Sequence, residues 1–190
     1  MAGTMRSTPL QLLVTFIAAG VAAGIFIHCG PLPEKSLFHA VSDADRTEIV
    51  RCLRWGADLN EWRYRNWPPL HYAVIHCSDE AVEVLLDLGA DPSAVAGGQT
   101  PLLLAAGKKE SYHKAQALLL HGADVNRIGP GKDTPLHSAA FWEHKDTVQL
   151  LLDHGAEVNA RDERGYTPLG EAILRDPDVL ALLREHGATE

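Results

Sequence analysis

From about residue 37 onward, two apolar segments and a polar break alternate along the chain, and the pattern returns about every 33 residues. The first segment of each period is short and rich in small residues: Ala73-Val74, Ala105-Ala106, Ala139-Ala140, Ala172-Ile173. The second carries leucines and valines three and four apart, as in Val82, Val84, Leu85, Leu86 or Val148, Leu150, Leu151, Leu152. That spacing is the apolar stripe of an amphipathic helix. Each stripe runs into Gly-Ala, at Gly56, Gly89, Gly122, Gly155 and Gly187, so the spacings are 33, 33, 33 and 32. Glycine there supplies the left-handed residue that ends a helix without steric cost. Thr-Pro opens the short segment at Thr100-Pro101, Thr134-Pro135 and Thr167-Pro168. Threonine caps a helix, and proline at the first helical position brings a preset φ and no stranded donor. Helix, turn, helix, loop is the predicted unit. One such pair cannot bury its own stripe, so the pairs must stack.

These segments carry a combined signature: Pro68-Pro69-Leu70-His71, Thr100-Pro101-Leu102-Leu103, Thr134-Pro135-Leu136-His137 and Thr167-Pro168-Leu169-Gly170, each followed by small residues, a leucine helix and Gly-Ala. The chain thereby resembles the ankyrin-repeat family over roughly Leu37 to Ala188. The resemblance implies an all-α solenoid of five repeats, at about 37–60, 61–93, 94–126, 127–159 and 160–190. Departures mark the ends and the middle. The first repeat lacks Thr-Pro and begins Leu37-Phe38-His39-Ala40, as an N-terminal cap does. The third has one extra residue within Lys108 to Lys114. The fifth is one residue short, with Pro177 expected in its interhelical turn. Arg184 and Glu185 make its last helix polar, as a terminal repeat requires.

The N-terminus changes the picture. No charged residue lies between Arg6 and Glu34, and Leu10 to Ile27 is apolar apart from Gln11 and Thr15. After a tail at 1–9, residues 10–29 are long enough to span a membrane, which takes about 20 residues, and longer than the ~7–15 of a cleavable signal core. An uncleaved signal anchor is expected, followed by a linker at 30–36. The rival is cleavage near Val21-Ala22-Ala23-Gly24, which would leave Ile25-Phe26-Ile27 exposed and release a soluble exported protein. A lipoprotein reading through Cys29 is weakened by His28 before it. Gly20 and Gly24 form only a weak small-residue dimer pattern. Arg6 before the segment, against Glu34 and Lys35 after it, places the repeats outside the cytoplasm by a narrow margin, periplasmic in a bacterium.

Charge narrows the partners. The chain has 17 basic and 25 acidic residues, a net charge of −8, and removing residues 1–30 takes away Arg6 and no acid. Nucleic acid wants a basic stripe and is excluded as a partner. Cys52 at a core leucine position and Cys77 at an interhelical turn look like separate thiols.

Ten histidines invite a metal, yet no metal-ligand spacing occurs. His121, His154 and His186 precede the glycines near helix C-termini, where positive charge suits the macrodipole. The resemblance implies that His71 and His137 hydrogen-bond within the repeat scaffold. No nucleophile elbow, phosphate loop or dinucleotide fingerprint is present. Gly97-Gly98 and Gly129-Pro130-Gly131 have the look of hairpin tips. No catalysis, cofactor, metal or small-molecule substrate is therefore expected.

What the architecture does not need is left for binding. The first finger reads Glu61-Trp62-Arg63-Tyr64-Arg65-Asn66-Trp67, dense in the residue types that dominate interfaces. The resemblance places Ile75, His76, Phe141 and Trp142 on the concave helix face, and Tyr166 at the finger position equivalent to Trp67. The partner-binding set is thus Trp62, Arg63, Tyr64, Arg65, Trp67, Ile75, His76, Phe141, Trp142 and Tyr166. Any of these could also pack within a repeat. The expected function is a membrane-anchored module binding a protein on its concave face, as scaffold, inhibitor or immunity protein. The other class open is an assembly subunit of a larger membrane complex, joined through the N-terminal helix.

Overall fold

The computed structural model describes residues 33–61, 67–172 and 176–189, with side chains from residue 37. The apolar run at 10–29 and the finger residues Trp62, Arg63, Tyr64 and Arg65 lie outside the described residues. Among those described, no helix is long and apolar enough to cross a membrane.

Among the described residues, ten helices follow one another in five pairs: α1 (Pro33–Ser42) with α2 (Arg46–Arg54), α3 (Pro69–His76) with α4 (Asp79–Asp87), α5 (Pro101–Ala106) with α6 (Tyr112–Leu120), α7 (Pro135–Phe141) with α8 (Lys145–Asp153), and α9 (Pro168–Ala172) with α10 (Pro177–Glu185). First helices pack on first helices, α1 to α3 to α5 to α7 to α9, and α4 to α6 to α8 to α10 pack likewise in a second row. No strand is present among the described residues; an isolated bridge joins Ala96 and Gln99 at a loop tip.

The periodicity becomes a ladder of buried side chains. Leu70, Leu102, Leu136 and Leu169 fill one rung position of the first row, and Leu85, Leu118, Leu151 and Leu183 fill the matching position of the second. Burying a leucine is worth about 1.5–3 kcal/mol. Cys52 takes that position in the first pair, where burial pushes its thiol pKa up. Ala73, Ala105, Ala139 and Ala172 are fully buried and bring neighbouring first helices close.

Every Gly-Ala ends its helix in the same way. The glycine has a φ between 83° and 93°. At the second pair, Gly89 N–H bonds Leu86 O and Ala90 N–H bonds Leu85 O, both at 3.0 Å, the two bonds of a Schellman cap. The residue before glycine contributes too: His121, His154 and His186 each donate Nδ1–H to the carbonyl four residues back, at 2.8–2.9 Å.

The first described helix begins at Pro33. Two expectations are corrected. Pro177 is the first residue of α10, capped by the Asp176 carboxylate, so its missing N–H costs nothing there. Gly97 and Gly98 do form a left-handed tip, but at 129–133 the positive φ belongs to Lys132.

Candidate functional site

Polar side chains at the ends of the first helices join each pair to the next and present the exposed face of the row. His71 Nε2–H donates to Gln99 O at 3.0 Å, and His137 Nε2–H to Tyr166 O at 3.1 Å. Gln99 and Tyr166 directly precede a capping threonine, so each histidine fixes the start of the following helix. Around His137 the second nitrogen is satisfied as well: Nδ1 receives the Thr134 backbone N–H and hydroxyl, at 3.2 and 2.9 Å. Pro68 stands where Thr134 would be. It has neither N–H nor hydroxyl, and His71 Nδ1 is buried without a partner. Burial lowers the His71 pKa, outweighing the backbone carbonyls of Gln99 and Ala94 and the charge of Asp91, which favour the protonated ring.

The longer turn after α5 brings two ammonium groups to the C-terminus of α3. Lys114 is buried and its Nζ donates to Val74 O (3.1 Å) and Cys77 O (2.6 Å), while Lys108 Nζ bonds Ile75 O. Cations suit the carbonyl end of a helix. In the next pair a histidine does the same work, His144 Nδ1–H reaching Ala106 O at 2.9 Å.

The expected binding residues divide into two groups. Trp67 is half-buried, its ring edge-on to His71 at 6.1 Å. Ile75 is half-buried. His76 is exposed and stacks on Tyr72 at 4.7 Å, and Tyr72 meets Phe38 edge-on at the same distance. The other group is Phe141 and Trp142, ring centroids 5.2 Å apart at 84°. Trp142 ends α7 and is 57% exposed, its ring lying close enough to Gly107 of the preceding pair that a Cβ added there would touch it at 3.7 Å. Tyr166, 51% exposed, carries the Arg164 guanidinium over its ring at 5.1 Å. Between the groups, the first helix of the third pair and the turn after it present Leu104, Gly107 and Lys108, and that helix has no aromatic.

A pocket of about 270 Å³ opens beside Trp142. Its lining includes Phe141, His137, Asp133, Asp162, Glu163, Arg164 and Glu171. Asp162 is the ordered centre of the 162–166 loop, its carboxylate accepting Arg164 N–H (2.9 Å), Tyr166 N–H (2.8 Å) and the Arg164 side chain (2.9 Å). Burial raises its pKa, but these three hydrogen bonds and the charge of Arg164 outweigh it and leave the group below its ordinary value. Tyr72, Asp133, Glu163 and Glu171 were not singled out from sequence. Tyr72, Ser138 and Glu171 each sit three residues after the Pro that opens a first helix, and that register was the available signal. No cluster of three or more metal-binding side chains occurs among the described residues.

A family model for ankyrin repeats in three copies matches residues 10–96, 37–129 and 102–189. The chain belongs to the ankyrin-repeat family. Ankyrin repeats are protein–protein interaction modules, in general without catalysis of their own. A mitochondrial disaggregase of Bos taurus is 33% identical over 103 residues, 52% of this chain and 15% of its own length. Its Homo sapiens counterpart is 29% identical over 100 residues, 50% and 14%. The human 2-5A-dependent ribonuclease is 39% identical over 72 residues, 37% and 10%. This ankyrin chain thus spans between 10% and 15% of the length of those relatives.

Proposed function

We propose that this ankyrin chain is a non-catalytic capture module for a protein partner, seated on the exposed face of α7 and the loop ahead of α9. The observation that carries this is Trp142: a large aromatic ring, 57% exposed, set edge-on to Phe141 at the end of α7 and beside a pocket. Trp and Tyr anchors with neighbouring polar groups are the usual centres of binding energy. The surface is preformed, because Phe141 and Gly107 hold the ring and hydrogen bonds hold the loops, and preorganisation limits the ordering cost of association. The fuller reading is a scaffold, inhibitor or immunity-type binder, tethered at a membrane by residues 10–29 on the extracytoplasmic side. The uncharged apolar run in the sequence supports the tether.

The test is affinity capture with the full chain in mild detergent, followed by the same capture with Trp142→Ala. The partner retained by the native chain should be lost at least tenfold, with the thermal transition almost unmoved because the ring is exposed. Undiminished capture overturns the assignment. Retention of the chain in the membrane pellet after carbonate extraction supports the tether, and release removes it.

A further inference from the structure

The pocket beside Trp142 has a composition that specifies the chemistry of what enters it. It is bounded by α7, the start of α9 and the loops 129–133 and 162–166, and the two loops are locked together by Glu163 N–H on Gly131 O at 2.9 Å. Four carboxylates line it, with one guanidinium. Arg164 is spent on two of them: it contacts Asp162 at 2.8 Å and Glu171 closely, and these side chains are only 4% and 11% exposed. Asp133 and Glu163 have no cationic partner among the described residues. His137 is no counter-charge, since both its nitrogens are already engaged within the scaffold. One wall is therefore an excess of negative charge on ordered loops, and the other is the Phe141–Trp142 pair.

An anion would be repelled from such a site, and an apolar group would strip water from Asp133 and Glu163 without replacing it. A cation satisfies both walls, pairing with carboxylate on one side and the aromatic face on the other. Arginine fits better than lysine, because its planar fork bonds carboxylate bidentately and stacks on rings. The volume, about 270 Å³, falls below the ~300–1,000 Å³ of drug-sized ligand sites and suits one side chain. We infer that this pocket receives an arginine side chain from an extended basic segment of the protein partner. The inference rests on the partner-binding reading above and gives that partner its charge.

The probe is a fluorescein-labelled peptide Gly-Ser-Arg-Gly-Arg-Ser-Gly, titrated by anisotropy against the full chain in detergent. Two further peptides replace the arginines with lysine or with citrulline, the uncharged isostere. Arginine should bind at least tenfold more tightly than citrulline, with lysine between, and weaken as salt is raised. The double variant Asp133→Asn with Glu163→Gln should lose the arginine peptide at least tenfold. A charge-matched double on the second row, Glu83→Gln with Glu185→Gln, should not, which separates the pocket from the diffuse field of an acidic protein. Circular dichroism melts verify that all variants are folded. Equal binding of arginine and citrulline, or equal losses in the two doubles, overturns the pocket. If partner capture depends on Trp142 but not on Asp133 and Glu163, the capture reading stands and this inference fails alone.

Discussion

Replacing Pro68 by threonine should stabilise this protein, against the usual expectation that losing a proline weakens a fold. Thr100 and Thr134 cap their helices by accepting a backbone N–H three residues on, and α3 has no side-chain cap. A cap of this kind is worth about 1 kcal/mol. The new residue would also aim an N–H and a hydroxyl at His71 Nδ1, ending the burial of an acceptor without a donor, which costs about 1–3 kcal/mol. Against this stands the lost rigidity of proline in the unfolded chain, roughly 0.4–1 kcal/mol. The backbone must turn only from φ −60° towards the −94° of Thr134, at nearly the same ψ. Even with the acceptor taken at the low end, the net gain is about 1–2 kcal/mol, or roughly 2–8 °C in Tm for an array of this size. The check is a thermal melt of the native chain and Pro68→Thr, repeated in a His71→Leu background. Leucine already follows a threonine cap at Leu103, so that background is tolerated by the scaffold. There, only the cap should remain, about 1 kcal/mol or less after the proline loss. An equal gain in both backgrounds, or none in either, refutes the argument from the stranded nitrogen.

Two further outcomes follow from the same joints. Because burial lowers the His71 pKa below its unfolded value of 6.5, the unfolded chain binds more protons below that pH. The His71 contribution to stability should then be full above pH 6.5 and fall as pH drops towards the folded value, a dependence that His71→Leu lacks in urea melts. Lys114→Met should cost about 1–2 kcal/mol by denaturant titration, since the carbonyls of Val74 and Cys77 lose a charged donor while no longer desolvating a buried ammonium returns part of the loss. Chiefly through burial, the Lys114 pKa lies below 10.5, so the native form releases this proton first and stability relative to the Met variant should rise as pH approaches 10.5.

The helix pairs, their leucine rungs and their glycine ends were legible in the sequence because each answers a local rule repeated at a fixed period. Thr134 and Gly89 could be assigned from their own segments, and His137 only through the signature shared with the family. Lys114 could not. Lysine among alanines and leucines looks like a solvated edge of a helix, and nothing local announces that the previous pair offers it two open carbonyls. The pocket was hidden for a related reason. Asp133 and Glu163 are ordinary turn residues in one dimension, and only the stacking of loop on loop sets them opposite Phe141 and Trp142. Arg164 was passed over because its meaning lies in Asp162 and Glu171, one beside it and one seven residues on. Trp67, conspicuous beside the aromatic finger, shares its ring with His71 and so belongs partly to the scaffold.

The joints between neighbours are wired differently. First to second is held by Asn60 on Asp91 N–H, and third to fourth and fourth to fifth by Asn126 and Asn159 in the same way. Ser93 occupies that place in the second pair, where His71 and two lysines take over; Leu103 occupies the histidine place in the third, where Asn126 and His144 serve. A unit cut out and pasted elsewhere in the array would therefore arrive with the wrong connectors: a copy of the fourth pair set after the second would bring one imidazole to carbonyls that now take two ammonium groups. Shared outline makes these units look like interchangeable bricks, yet each is keyed to its neighbours. Recombination that shuffles, duplicates or deletes single units should damage this array far more than its even period suggests, and viable length variants should preserve adjacent units together.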